Sequence, residues 1–396
     1  MALQEDFRRQ EMNTPFAAPV LSQSRRTRST PYSERVLAAG AKAFTVYNHM
    51  LLPSVFRSLE EDYWHLTEKV QLWDVSAQRQ IELAGPDAMR LAQLMTPRDI
   101  TTKFDIGQCK YAPLVDQHGG MLNDPVIIHV AEDRLWLSIA DSDVLLWAKG
   151  LALGFGLDVD VTEPDVFPLA VQGPLAEELV ADVFGEEARN IRFFRSELLQ
   201  FNGIDLRVAR SGWSKQGGFE IYLDVPAMAH DLWDALWLAG QKYDVRAGGP
   251  NLIERIESGL LSFGNDMTPM NTPLECGLDK YCALDSDIEF IGKQALLKQR
   301  EAGVPRRLYG LVLNGDPVHP ATAPWTVFQS DVPVGYVTSA VYSPRFGRNI
   351  AFAMLSVDHT DFSSTIAVED EHGNATDGYI TELPFDTLAL EDQLTA

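Results

Sequence analysis

QIELAGPDAMRLAQLM (residues 80–95) and PLAVQGPLAEELVADVF (residues 168–184) read the same way: an alternating apolar run, a Gly-Pro break, then apolar residues at helical spacing. Each is a strand, a turn and a helix in that order. The first helix begins near Asp87 and carries Ala88, Leu91 and Met95 on one stripe, and the second closes at Gly185, a C-cap. Two loosely similar α+β halves are therefore expected, with more strands around each unit. KYAPLVDQHGGMLNDPVIIHV and RLWLSIA predict strands joined by turns at Gly119-Gly120 and Glu132-Asp133, and IDLRVARSGW with GFEIYLDV predicts another strand pair. SVFRSLEEDYWHLTEKV (54–70) spaces Val55, Leu59, Tyr63, Leu66 and Val70 as a helical stripe, with Ser54 as the expected cap. In AMAHDLWDALWLAGQKY, Trp233 and Trp237 stand four apart and are expected in the core.

Beyond about residue 300 the texture changes to short strands separated by Gly, Pro, Asp and Asn, an all-β module. KQALLKQREAGVPRR (293–307) reads as a helical linker into it. The expected organisation is a mobile extension over residues 1–24, an α+β core over 25–302 and a β-barrel domain over 303–396. The first stretch lacks the apolar segment of a signal peptide, and no run of about 18 apolar residues could cross a bilayer, so a cytoplasmic protein without membrane partners is expected. Lys and Arg number 33 against 56 Asp and Glu, for a formal charge of −23. Such a field repels phosphate backbones, which disfavours nucleic acid. Arg25, Arg26 and Arg28 are read as solvated surface.

Generic catalytic signatures are missing: no GxSxG, GxxxxGK[ST] or HExxH occurs, and the eight histidines show no metal-ligand spacing. Cys109, Cys276 and Cys282 form no CxxC pair and suggest no disulfide framework. His49 and His65 could serve as acid or base groups, but surface or internally satisfied histidines are the simpler reading. Gly217-Gly218 reads as a turn between strands and not a dinucleotide fingerprint. From the residues alone, the chain is an α+β enzyme or binding protein.

Six blocks narrow this: VQLWDVSAQRQIELAGPDA, GGMLNDPVI, SGWSKQGGFEIYL, RIESGLLSFGNDMTPMNTPLECGL, LDKYCALDSDIEFIGKQAL and VTSAVYSPRFGRNIAFAML. Together they resemble the glycine-cleavage T-protein (aminomethyltransferase) superfamily of folate-dependent one-carbon enzymes, from about Arg28 to Phe385. The resemblance implies a cloverleaf of two interleaved α+β subdomains and a C-terminal jelly-roll-like β-barrel around a central folate channel. The chain departs from glycine-cleavage members at Asn123-Asp124, where a tandem acidic pair is usual, at residues 211–216, where a GYTGE-type turn is usual, and upstream of the RxExG block, where the usual arginine appears as Asn251 or is displaced. With YNHMLLP (47–53), these departures resemble the branch that moves a methyl group from the sulfonium of dimethylsulfoniopropionate to tetrahydrofolate. That reaction implies 3-methylmercaptopropionate and 5-methyltetrahydrofolate as products.

A neutral sulfide leaves in such a displacement, so neither a metal nor a covalent nucleophile is expected. The resemblance makes Glu220 the pterin-binding carboxylate, a role for which a bidentate acceptor suits; by itself Glu220 reads as a solvated strand residue. Asp124 is implied near the reacting folate nitrogen, although Asn-Asp-Pro alone also reads as a turn. Tyr111 and Trp213 join Asp124 as expected catalytic residues. Tyr111, Phe194, Trp213 and Tyr222 are expected around the folate, Tyr47 and Trp213 around the sulfonium, and Lys215 or Arg28 is a guess for the substrate carboxylate. Two alternatives stay open, an aminomethyltransferase of glycine cleavage and a non-enzymatic folate-binding regulatory protein, and a homodimer is open as well.

Overall fold

The computed structural model describes residues 24–385, so the expected extension over residues 1–24 lies, apart from Ser24, outside the described residues. The chain first lays down a hairpin, Ala43–Tyr47 with Met50–Val55, closed by a two-residue turn. Asn48 and His49 both take positive φ there, as a type I′ turn requires. Ser54 therefore lies in a strand and caps nothing. The helix starts later, at Leu59–Glu68, where the Ser58 hydroxyl accepts from the Glu61 N–H at 3.0 Å.

Two sheets follow, one nested inside the other: the nested sheet is antiparallel throughout, and the outer one is antiparallel except where Arg246–Gly248 runs parallel to Gln71–Asp74. Gln71–Asp74 enters a six-stranded sheet, the chain leaves to build a complete five-stranded sheet over residues 80–162, and then it returns. In the nested sheet the order is Asp160–Thr162, Gln80–Ala84, Arg134–Ser138, Val126–Ala131 and Cys109–Tyr111. In the outer sheet it is Ser196–Phe201, Ile204–Ala209, Gly218–Leu223, Phe167–Gln172, Gln71–Asp74 and Arg246–Gly248. The two subdomains are thus interleaved, as the resemblance implies.

Each sheet buries one face under its own helices. Ala88–Met95 and Val144–Phe155 cover the nested sheet, with Leu91, Met95, Ala148 and Leu151 packed on Ile81, Leu83 and Leu137. Ala176–Phe184 and Ala229–Gly240 cover the outer sheet, whose Phe219, Ile221 and Leu223 point into that core. Trp233 belongs to this core and stacks on Trp237 at 6.2 Å, 14° from coplanar. Because side chains alternate along a strand, Glu220 and Tyr222 face the other way, toward the nested sheet.

The C-terminal module is a closed barrel of six antiparallel strands, ordered Arg306–Leu313, Arg348–Ser356, Val332–Ser343, Trp325–Gln329, Ile366–Glu369 and Ala375–Thr381. Closure leaves no unpaired edge. The short helix Leu252–Glu257 joins core and barrel, its Ile253 and Ile256 sharing a cluster with Tyr336, Ile350 and Phe352. The segment read as a linker is itself packed: Lys293–Ala302 buries Leu296 against Gly119, and Gln299 accepts from the Thr272 hydroxyl at 2.7 Å.

Candidate active site

A cavity of about 760 Å³ opens where the exposed ends of both sheets meet the 261–265 segment and Thr322 of the barrel module. Tyr47, Tyr111, Asp124, Phe194, Trp213 and Glu220 all line it. Tyr222, Lys215 and Arg28 do not appear on its wall. Arg28 instead donates to Glu163 at 2.5 Å and to the Asn48 carbonyl at 3.1 Å.

Glu220 sits between two small residues, Ala170 and Ala209, on the neighbouring strands, which leaves room for its carboxylate to reach the cavity. The Ser211 hydroxyl donates to its Oε2, and the Tyr222 hydroxyl donates to the same oxygen at 3.3 Å. Among the described residues none bonds to Oε1. Burial pushes the Glu220 carboxyl up from the ordinary range, and the Ser211 and Tyr222 bonds oppose that. Tyr222 therefore stands behind Glu220, its ring 6.0 Å from Trp136, and holds the carboxylate instead of walling the cavity.

Trp213 lies on the loop between Ile204–Ala209 and Gly218–Leu223, and two glutamine and glutamate side chains fix that loop. Gln172 donates to the Ser211 carbonyl at 3.2 Å and accepts from the Ser214 hydroxyl at 2.8 Å. Glu254 accepts from the Lys215 N–H at 2.8 Å and from the Gln216 amide at 3.2 Å. At Gly212, φ is +149° and a Cβ would fall 2.0 Å from the Gln172 amide, so glycine alone lets the loop close on Gln172. Beneath the Trp213 ring lies the Arg255 guanidinium, 5.9 Å from its centroid.

Asp124 faces this wall from the nested sheet. Tyr111, across the Cys109–Tyr111 and Val126–Ala131 pairing, donates its hydroxyl to Asp124 Oδ2 at 3.1 Å. Burial pushes the Asp124 carboxyl up to about 7; the Tyr111 bond favours the ionised form, and the Asp266 charge adds to the rise. Asn123 is fully buried and accepts from the Asp124 N–H at 3.0 Å, which fixes the acid's backbone. Tyr47 reaches the same side from the hairpin, and burial, then Asp124 and Asp141, push its phenol well up. The hairpin is tied down by the Asn48 N–H, which donates to Asp141 Oδ1 at 2.7 Å.

Asp141, Arg255 and the 262–265 turn also line the cavity and escape the sequence reading. Among the described residues, Arg255 is the one lysine or arginine on the wall, which it shares with three carboxylates, Asp124, Asp141 and Glu220. It donates to Asp266 at 2.7 Å and to Ser339 of the barrel at 2.6 Å. Asp266 accepts in turn from the Thr338 and Ser339 hydroxyls, at 2.6 and 2.7 Å. Asp266 lies 11 residues along the chain but Ser339 lies 84 away, and in the short helix LIERIE, half of whose residues are charged, nothing singles out Arg255. His65 accounts for itself as a satisfied core histidine, with Nε2 2.8 Å from the Asp244 carbonyl. His49 is an exposed turn residue.

The lining is acidic and aromatic, with one acid titrating near neutrality. Such a wall can hold a cation against rings and carboxylates and can accept a proton. A dimethylsulfoniopropionate demethylase, DmdA, of Ruegeria pomeroyi is 52% identical over 350 residues, 88% of this chain and 95% of that one. An aminomethyltransferase of Desulfitobacterium hafniense is 28% identical over 86% of this chain and 93% of its own. The crystal structure of the glycine cleavage system aminomethyltransferase T from Bartonella henselae superposes with a TM-score of 0.80 at 26% identity, covering 91% of this chain and 98% of that one. The GCVT N-terminal domain matches residues 32–286 and the glycine cleavage T-protein C-terminal barrel domain matches residues 306–386, so the chain belongs to the glycine-cleavage T-protein family.

Proposed function

We propose that this protein is a demethylase that transfers a methyl group from the sulfonium of dimethylsulfoniopropionate to tetrahydrofolate. The observation that carries the reading is the cavity wall, three carboxylates and five aromatic rings against one arginine that is itself paired with Asp266. A wall of that kind favours a cation, and a sulfonium is one. The 52% identity to a relative named for this activity supports the choice of substrate.

Tetrahydrofolate fits the residues present. A cavity of about 760 Å³ lies in the range that holds a drug-sized ligand. Glu220 offers a buried acceptor oxygen toward it, suited to the donor edge of an aminopyrimidine. Bound tetrahydrofolate would supply an amine nitrogen whose lone pair attacks the methyl carbon in line as the carbon–sulfur bond breaks and neutral sulfide departs. Glu220, held by Ser211 and Tyr222, binds the pterin edge. Phe194 and Tyr111 flank the ring, and Trp213 and Tyr47 face the sulfonium, where cation–π attraction contributes about 0.5–2 kcal/mol. The same walls would exclude water and align the two partners for in-line attack. Asp124, with its carboxyl at about 7, takes up the proton that the amine sheds. Arg255, the one lysine or arginine on the wall among the described residues, would hold the substrate carboxylate, the role expected of Lys215 or Arg28.

The purified chain, given dimethylsulfoniopropionate and tetrahydrofolate, is expected to form 5-methyltetrahydrofolate and 3-methylmercaptopropionate, read by mass spectrometry. If it forms neither, yet releases ammonia from an aminomethylated lipoyl carrier, the chain is an aminomethyltransferase. Tight folate binding with neither reaction would make it a binding protein.

A further inference from the structure

We propose that His319, Glu371 and His372, on the outside of the barrel, form a site for a divalent transition-metal ion of the zinc class. Their donor atoms all lie within 4.8 Å of one another, and no second such group of three occurs among the described residues. His319 Nε2 is 3.3 Å from Glu371 Oε1, and the two imidazole rings stand 5.4 Å apart. Two imidazoles and one carboxylate suit zinc and its neighbours and do not suit magnesium or calcium, which prefer all-oxygen sets. Three protein donors leave room for solvent as the remaining ligand.

The donors are held before any ion arrives. Glu371 is oriented through both oxygens: the Trp325 indole N–H donates to Oε2, and the Thr322 hydroxyl donates to Oε1 at 3.0 Å. That is the outer support that metal-binding carboxylates use. Glu371 and His372 stand on the turn between Ile366–Glu369 and Ala375–Thr381. Asp370 Oδ1 locks that turn by accepting from the His372 and Asn374 N–H groups, both at 2.8 Å. On the other side, Asn349 accepts from the Val318 N–H at 2.9 Å and donates to the Asp316 carbonyl at 3.0 Å, which anchors the loop up to His319. The sequence hides the site because His319 and the Glu371-His372 pair belong to different loops of the barrel.

An ion here would clamp the loop that carries His319 and Thr322 to the 370–374 turn. Thr322 also lines the large cavity, so the clamp and the cavity wall share one short segment. The test is calorimetric titration of zinc chloride into the full chain, prepared without a histidine tag. One equivalent should bind saturably and raise the melting temperature. His319→Ala and His372→Ala should each weaken binding by about 10–100-fold or more, while leaving the metal-free melting temperature near that of the wild type, since both histidines are exposed. Cobalt(II) in the wild type should give the visible absorption of an imidazole-ligated ion. Absence of stoichiometric zinc binding, or unchanged affinity in both variants, overturns the proposal. Zinc uptake with no such cobalt spectrum overturns it independently of the variants.

Discussion

Replacing Asp124 by asparagine should make the protein more stable and nearly inactive, and the stability gain should grow with pH. An ordinary aspartate titrates near 4, whereas burial holds this one at about 7, a gap whose ceiling is ~4 kcal/mol. Asp124 is only half-buried and its open surface faces the cavity, so solvent there should reduce the effect to ~2 kcal/mol. The sign follows from the raised value. The folded state binds this proton more tightly than the unfolded chain does, so the contribution of Asp124 to stability is fully present below about pH 4 and is lost as pH rises through about 7. Asparagine carries no such dependence and can still accept the Tyr111 hydrogen bond. Thermal unfolding of both proteins at about pH 5 and about pH 8.5 should show the variant gaining a few degrees more at the higher pH. Methyl transfer should fall by about 10²–10⁴-fold, the usual worth of a positioned base, with folate affinity kept. In the wild type, kcat should rise with pH to a plateau above about 7. A stability difference equal at both pH values, or a variant with wild-type turnover, would refute the reasoning.

Tyr111→Phe removes the bond that favours ionised Asp124, so the inflection in the kcat profile should move to higher pH, with activity recovered on the alkaline side; an unmoved inflection counts against the pairing. Glu220→Gln should weaken tetrahydrofolate binding by about 10–150-fold, from about 1.5–3 kcal/mol for charged hydrogen bonds. Its melting temperature should not fall, because a carboxyl that burial has pushed up is neutralised; fluorescence titration and unfolding read the two effects separately. Trp213→Ala should raise KM for the sulfonium about 2–30-fold, equivalent to about 0.5–2 kcal/mol of cation–π attraction, and Trp213→Phe should restore most of it in steady-state assays.

Much of the fold was legible in the sequence because its units are local. Residues 80–95 and 168–184 carry strand, turn and helix signals within one short stretch, and both fold that way. The nesting was not legible from periodicity, because Gln71–Asp74 pairs with Phe167–Gln172, far along the chain, while its own neighbour Gln80–Ala84 joins another sheet. The cap at Ser58 was displaced to Ser54 because Val55 fits a helical stripe as well as the strand it occupies. On the cavity, Glu220 and Tyr222 share a strand face, but period two could not say which of them reaches the opening. Tyr222 falls behind because it meets Trp136 of the nested sheet. Arg255 and Asp141 were missed because each is placed by a distant partner, Ser339 of the barrel for one and the Asn48 turn for the other.

The amide at position 123 and the lone acid at 124 form one arrangement. Asn123 is fully buried and uses every hydrogen-bonding direction of its side chain but no charge. Its Oδ1 accepts from the N–H groups of Asp124 and Ala140, at 3.0 and 2.9 Å. Its Nδ2 donates to the Ala140 carbonyl and the Ser142 hydroxyl, at 3.0 and 2.8 Å. A carboxylate at this position has no donor for the Ala140 carbonyl and would stand oxygen against oxygen. It would also add a second negative charge beside Asp124, which already feels Asp266, and so drive the Asp124 carboxyl above 7. The acidic pair usual in glycine-cleavage members is therefore incompatible with the way residues 140–142 are held here. Transfer from a sulfonium releases a neutral sulfide and leaves one proton to remove, and a single acid near neutrality, fixed by a neutral neighbour, is sufficient for that.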